Sequence, residues 1–168
     1  MGRRPDLMQL KSQVEWALHC CTVLAALPRG QYLSTKALAE FHGVPKEYLS
    51  KALQSVSNAG LVTSTLGPSG GYRLARSAEK ITVLDVVQAV EGDGLTFVCN
   101  EIRQNNPCRP DGYCDKRSCP IARVMWQADK AWRDVLRGVT LANLGETIEA
   151  EVPGDLLQAS FAWLPRGK

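Results

Sequence analysis

Residues 34–74 read STKALAEFHGVPKEYLSKALQSVSNAGLVTSTLGPSGGYRL, and the order of signals in this stretch decides the fold. Ser34 is a helix N-cap residue type in front of a short run in which Ala37, Leu38 and Phe41 share one face, and His42-Gly43 ends it. Pro45 then stands at the first position of a second helix, about Lys46 to Ala59, where its fixed φ suits the opening turn and its missing N–H is not needed. Leu49, Ala52, Leu53 and Val56 recur at helical spacing and form its buried stripe. The opposite face offers Lys46, Glu47, Tyr48, Ser50, Lys51, Gln54 and Ser55, residue types that contact phosphates and base edges. A short helix, a glycine-containing turn and a longer helix with such a face predict a helix-turn-helix.

Gly60 ends the second helix, and two β-prone runs, Leu61 to Thr65 and Tyr72 to Leu74, flank Gly67-Pro68-Ser69-Gly70-Gly71. A hairpin placed directly after a recognition helix is a wing, and small residues at its tip let backbone amides approach phosphate closely. Thr82 caps a further helix, Val83 to about Val90, closed by Gly92 and Gly94. The expected fold is mainly α with a small β-hairpin wing, a winged helix-turn-helix domain over residues 1–94. The expected DNA contacts are Ser34, Thr35 and Lys36 at the start of the short helix, Lys46, Tyr48, Ser50 and Lys51 on the recognition helix, and Ser69, Gly70 and Tyr72 in the wing.

Upstream, Val14, Ala17, Leu18, Cys21, Leu24 and Ala25 recur at helical spacing from about Leu10 to Leu27, where Pro28 and Gly30 stop the pattern. Glu15 and His19 are one turn apart beside this stripe, on one face of the helix. Cys20 and Cys21 read as small apolar packing residues. Glu15 and His19 read differently, because a polar pair beside an apolar stripe needs a partner.

Downstream, residues 95–119 hold Cys99, Cys108, Cys114 and Cys119 among Pro, Gly, Asn and charged residues, with spacings x8, x5 and x4. No C-x2-C pair occurs, so zinc-knuckle and zinc-ribbon patterns are not matched. Soft thiolates on a loop suit an iron–sulfur cluster or zinc, and spacing alone does not choose between them. Cys119 directly precedes Pro120 at the start of a long helical pattern, where unpaired amides and the positive dipole end favour a thiolate. In that pattern Ile121, Val124, Met125, Ala128, Trp132, Val135 and Leu136 form a stripe larger than one small domain covers, which predicts a dimerisation helix over residues 120–144 and a homodimer suited to two-fold DNA sites. Residues 145–168 remain as a C-terminal tail whose only pattern is an apolar cluster at Leu156, Leu157, Phe161, Trp163 and Leu164.

Composition agrees with this reading. The chain has 168 residues, 45% apolar and 22% charged, and a formal net charge of +3. The positive excess is concentrated in residues 28–80, which hold seven bases and three acids, whereas residues 81–168 hold ten and twelve. No apolar run approaches a membrane span, and the start lacks the apolar segment of a signal peptide, so a cytoplasmic location without membrane association is expected. In that compartment thiols stay reduced and the cysteines are ligands or redox sensors rather than structural disulfides. An enzyme is not expected, because the chain has only two histidines, His19 and His42, and no nucleophile triad or phosphate-binding loop.

The wing segment GPSGGYRLARSAEKITVLDVVQAVEG, 67–92, together with the cysteine loop leading into the long helix, resembles the Rrf family of bacterial winged-helix regulators over residues 10–144. VEWALHCC at 14–21, FVCNEIRQ at 97–104 and CPIARVM at 119–125 resemble its redox-sensing repressor branch. That branch implies a [2Fe-2S] cluster held by Cys114 and Cys119 of one protomer and by Glu15 and His19 of the other, with redox state modulating operator affinity. The x4 gap between Cys114 and Cys119 is one residue longer than that branch's. Other members, which sense nitric oxide or iron–sulfur status, imply a three-cysteine [4Fe-4S] arrangement, here Cys108, Cys114 and Cys119. A zinc site or a thiol–disulfide switch are the alternatives that keep DNA binding without a cluster.

Overall fold

The computed structural model describes residues 10–68 and 70–164. Contacts divide the chain into two compact units, one of residues 1–93 with 136–168 and the other of residues 94–135.

The first unit is built around helix α1, Ser12–Ala25, which packs on the helices and hairpin that follow. Its stripe of Val14, Ala17, Cys20, Cys21 and Leu24 is buried. Helix α2, Thr35–His42, starts where Ser34 Oγ accepts from the Ala37 amide at 3.1 Å, and it ends at Gly43, whose φ of 64° is the left-handed conformation glycine adopts without strain. Helix α3, Lys46–Asn58, buries Leu49, Ala52, Leu53 and Val56 as the stripe requires. Pro45 occupies the N-cap rather than the first helical position, a shift of one residue toward the N-terminus. Strands β1, Val62–Thr65, and β2, Gly71–Leu74, pair antiparallel with Val62 opposite Leu74 and Thr65 opposite Gly71. Helix α4, Val83–Glu91, begins with a capping box between Thr82 and Asp85.

The second unit holds a 3-10 turn at Ile102–Asn105 and most of helix α5, Pro120–Arg137. Asp129, 4% exposed, is the buried charge of this unit. Arg133 Nε meets its Oδ2 at 2.7 Å and Thr96 Oγ1 donates to its Oδ1 at 2.9 Å, so the charge is paired and hydrogen-bonded as burial demands. Only Ala122 and Asp129 of α5 are buried, and Ile121, Val124 and Val135 of the expected stripe are 65–69% exposed.

After α5 the chain re-enters the first unit. The Leu141 amide donates to the Ile81 carbonyl at 2.9 Å, the Val83 amide donates to the Val139 carbonyl at 2.8 Å, and the Leu141 side chain is fully buried in the core. Helices α6, Leu141–Glu151, and α7, Gly154–Trp163, follow. The sequence pattern left most of this stretch without an element. The cause is that the core position of α6 is supplied at long range by α1 and the turn before α4, and α7 buries no residue of its own. Among the described residues no helix is long and apolar enough to cross a membrane.

Candidate functional site

The candidate nucleic-acid face expected from the sequence is carried by α2, α3 and the hairpin. Lys46, Tyr48 and Lys51 stand exposed on α3, and Ser50 is half-buried between them. Lys51 Nζ lies 5.7 Å from the Tyr48 ring centre, so the aromatic ring and the cation form one projecting unit. At the start of α2, Ser34 spends its hydroxyl on the helix cap, Thr35 is half-buried, and Lys36 reaches Glu40 at 3.8 Å across the helix surface.

The wing is fastened to this helix. Tyr72 and Leu33 exchange two backbone hydrogen bonds, 2.8 and 3.0 Å, which join β2 to the segment entering α2. Gly71 makes the approach possible, because a Cβ there would collide with the Leu33 carbonyl, and at Gly70 a Cβ would collide with the Thr65 carbonyl. Ser69 lies outside the described residues. Two further wing side chains stand out, Arg73, which the sequence already marked beside the small residues of the wing, and Leu66. Leu66 is fully exposed at the hairpin tip, and Arg73 stacks its guanidinium 4.9 Å from the Tyr32 ring centre while Nε donates to Thr63 Oγ1 at 3.4 Å.

In the second unit the cysteine loop is fixed by two arginines. Arg103 meets Glu101 at 2.6 Å and Asp115 at 3.4 Å and donates to the Arg117 carbonyl at 2.8 Å. Arg109 meets Asp115 at 2.7 Å, donates to the Tyr113 carbonyl at 3.0 Å and lies against the Tyr113 ring. All four cysteines are free, with Cys108 and Cys114 exposed and Cys99 and Cys119 half-buried. The Cys119 sulfur sits at the start of α5, and its thiol is held below the ordinary range by the Ala122 amide first, with help from the Ile121 amide, the Cys99 thiol and the Arg103 charge. The Cys119 amide in turn donates to Glu101 Oε1 at 3.4 Å. The Cys99 thiol is thus a direct neighbour of Cys119, a contact that spacing did not reveal.

On α1, Glu15 and His19 are both exposed and stand one turn apart, and among the described residues the Glu15 carboxylate has no hydrogen-bond or ion-pair partner. They border a recess lined also by Leu10, Lys11, Ser12, Val14 and Leu18. Among the described residues no three His, Cys, Asp or Glu side chains gather into a group able to hold a metal. The donors suit an iron–sulfur cluster in kind, with a prepared thiolate, a second accessible thiol, a free carboxylate and an exposed imidazole. Cys20 and Cys21, by contrast, are fully buried, and burial pushes both thiols up to about 12.

A helix-turn-helix with a glycine-fastened wing, followed by a cysteine loop and an amphipathic helix, can be matched against known families. The model of the family described as Rrf2, iron-dependent transcriptional regulator, matches residues 10–147. The chain belongs to the Rrf2 family. Its family is one of DNA-binding transcriptional regulators rather than of enzymes. Among Rrf2 relatives, protein rrf2 of Nitratidesulfovibrio vulgaris (strain Hildenborough) is 35% identical over 138 residues, which span 82% of this chain and 87% of the relative.

Solved Rrf2-like structures show the same fold. CymR, the global cysteine regulator of B. subtilis, superposes with a TM-score of 0.64 at 24% identity, covering 84% of this chain and 98% of CymR. IscR of T. potens superposes with a TM-score of 0.63 at 24% identity, covering 89% of this chain and 96% of IscR.

Proposed function

We propose that this Rrf2 regulator is a homodimeric repressor that reports redox state through a [2Fe-2S] cluster, held by Cys114 and Cys119 of one copy and Glu15 and His19 of the other. The carrying observation is the amide cradle around the Cys119 sulfur, since a ligand must be deprotonated and this thiol is prepared for it. The likeness of 14–21, 97–104 and 119–125 to the redox-sensing repressor RsrR supports the same set. Bound there, the cluster would supply reversible one-electron chemistry. The chain's own part is geometric. Glu15 and His19 present an oxygen and a nitrogen from one helical face, and α1, which carries them, packs directly on the recognition helix α3. A shift of α1 bears on α3, and so on the spacing of two recognition helices in a dimer. The uncovered stripe of α5 supports the dimer.

The test is anaerobic purification with absorption spectra and iron and sulfide assays. Cys119→Ser and His19→Ala should lose the chromophore, whereas Cys108→Ser should keep it. A colourless, iron-free protein that still regulates overturns the proposal. Loss of the chromophore in Cys108→Ser alone would favour the three-cysteine [4Fe-4S] arrangement of a nitric oxide or iron–sulfur status sensor, and zinc in the metal assay would replace the cluster.

A second reading rests on the Cys99 thiol beside Cys119. Oxidation would join the two sulfurs, releasing two protons and passing two electrons to an external oxidant such as a peroxide. Loss of two free thiols under mild oxidation, with insensitivity to chelators, would favour this switch over the cluster.

A further inference from the structure

The wing ends in a tip whose backbone is tightly folded. The Gly70 amide donates to the Gly67 carbonyl at 2.9 Å, and a Cβ on Gly70 would stand 2.3 Å from the Thr65 carbonyl oxygen and 2.8 Å from the Leu66 carbonyl carbon. Pro68 adds a fixed φ. Behind the tip the strands pair from Thr65 with Gly71 to Val62 with Leu74, and the exchange between Leu33 and Tyr72 ties them to the entrance of α2. On this stiff support the Leu66 side chain is wholly exposed. Residues 65–72 carry no charge. The next cation along the hairpin, Arg73, is held in place: it faces Thr63 across the ladder, donates Nε to the Thr63 hydroxyl and stacks on the Tyr32 ring, with no ion pair among the described residues.

We propose that Leu66 is an apolar wedge that enters the minor groove of DNA, partly unstacks a flexible base step there and kinks the duplex; this rests on the reading of the chain as a DNA-binding regulator. A leucine exposed singly is ordinary on a protein surface, but this one stands at the tip of a rigid, uncharged hairpin tied to the helix-turn-helix. Inserting a side chain from a rigid tip orders little that was free before, which is what lets a wedge act. Leucine has no donor or acceptor and reads no base edge. It gains by leaving water and by filling the gap between parted bases. Depth agrees with this placement. Three residues of extended chain separate Thr63 from Leu66, about 10 Å at strand spacing, and the minor groove is about 7.5 Å deep. With Leu66 at the groove floor, Arg73 opposite Thr63 stands level with the phosphates at the mouth, its fork already fixed by Thr63 and Tyr32. Steps that part easily, TA and CA, are then favoured beneath the wing, a selectivity exerted through deformation rather than hydrogen bonding.

The duplex for the test is selected from a randomised pool on the full chain, purified anaerobically. In that duplex 2-aminopurine at successive adenine positions reports unstacking, end-to-end energy transfer reports the bend, and anisotropy gives affinity and its salt slope. Wild-type binding should raise the emission at a step flanking each half-site and shorten the end-to-end distance. Leu66→Ser leaves the fold intact because the side chain is wholly exposed. It should abolish the rise and the bend, lower affinity about tenfold, erase the preference for TA at that step and leave the salt slope as it was. Arg73→Ala should lower the slope by about one. Wild-type binding without a rise in emission, a rise that persists in Leu66→Ser, or an unchanged slope in Arg73→Ala would overturn the proposal while the DNA-binding reading stands. So would altered sedimentation of Leu66→Ser without DNA, which would make the leucine a contact between copies. A pool that yields no enriched duplex would instead overturn the DNA-binding reading, and this inference with it.

Discussion

Tyr72 and Leu33 are locked in a two-way backbone exchange, and Gly71 alone leaves room for it. Gly71→Ala should therefore separate the wing from the entrance to α2. The two lost hydrogen bonds and the steric clash should cost about 2 kcal/mol, a fall in Tm of roughly 4–8 °C. Operator affinity should fall with it, whereas Gly60→Ala, in a turn with open space around it, should lower stability through backbone strain without specifically loosening the wing. Calorimetric melting and fluorescence anisotropy on both variants check this.

Lys51 projects from α3 beside Tyr48, with no acid holding it among the described residues. Replacing it with alanine should weaken DNA binding across sequences and reduce the slope of log affinity against log salt by about one. Anisotropy titrations between low and physiological salt provide the slope. An unchanged slope would remove Lys51 from the phosphate contacts.

The α5 stripe leaves Ile121, Val124 and Val135 open to solvent in the single chain. Val124→Asp should convert a dimer into monomers in sedimentation equilibrium while the circular dichroism of the helices is retained. A fully dimeric Val124→Asp would place the dimer contact elsewhere.

Cys20 and Cys21 predict an alkaline limit. Their folded pKa of about 12 stands above the usual thiol value, so the protons stay on in the native state while the unfolded chain loses them. Their contribution is fully present below about pH 8.5 and is lost as pH rises toward 12, with a slope of up to about 1.4 kcal/mol per pH unit for each thiol. Urea denaturation at pH 8 and pH 10 should show the drop, and Cys20→Ala with Cys21→Ala should flatten it.

Much of the first unit was legible because its signals are local. The Ser34 cap, the Gly43 stop and the Leu49–Val56 stripe each depend on neighbours within a turn or two. Leu141 was not legible in this way, since its burial comes from α1 and Ile81, sixty residues and more upstream. The same holds for the Cys99 contact with Cys119, which exists because Arg103, Glu101 and Asp115 fold the intervening loop back. Glu15 and His19 could be paired from their spacing, whereas the contact of the His42 ring with His19 could not, because it joins α2 to α1 across the fold.

The backbone bonds Leu141 to Ile81 and Val83 to Val139 bring residues 136–141 back to the body that the chain left at residue 93. Residues 94–135 are thus spliced into a continuous DNA-reading scaffold with both ends anchored in it. Such an insert can be rewritten by evolution, exchanging one sensory chemistry for another, without renegotiating how the protein grips its operator.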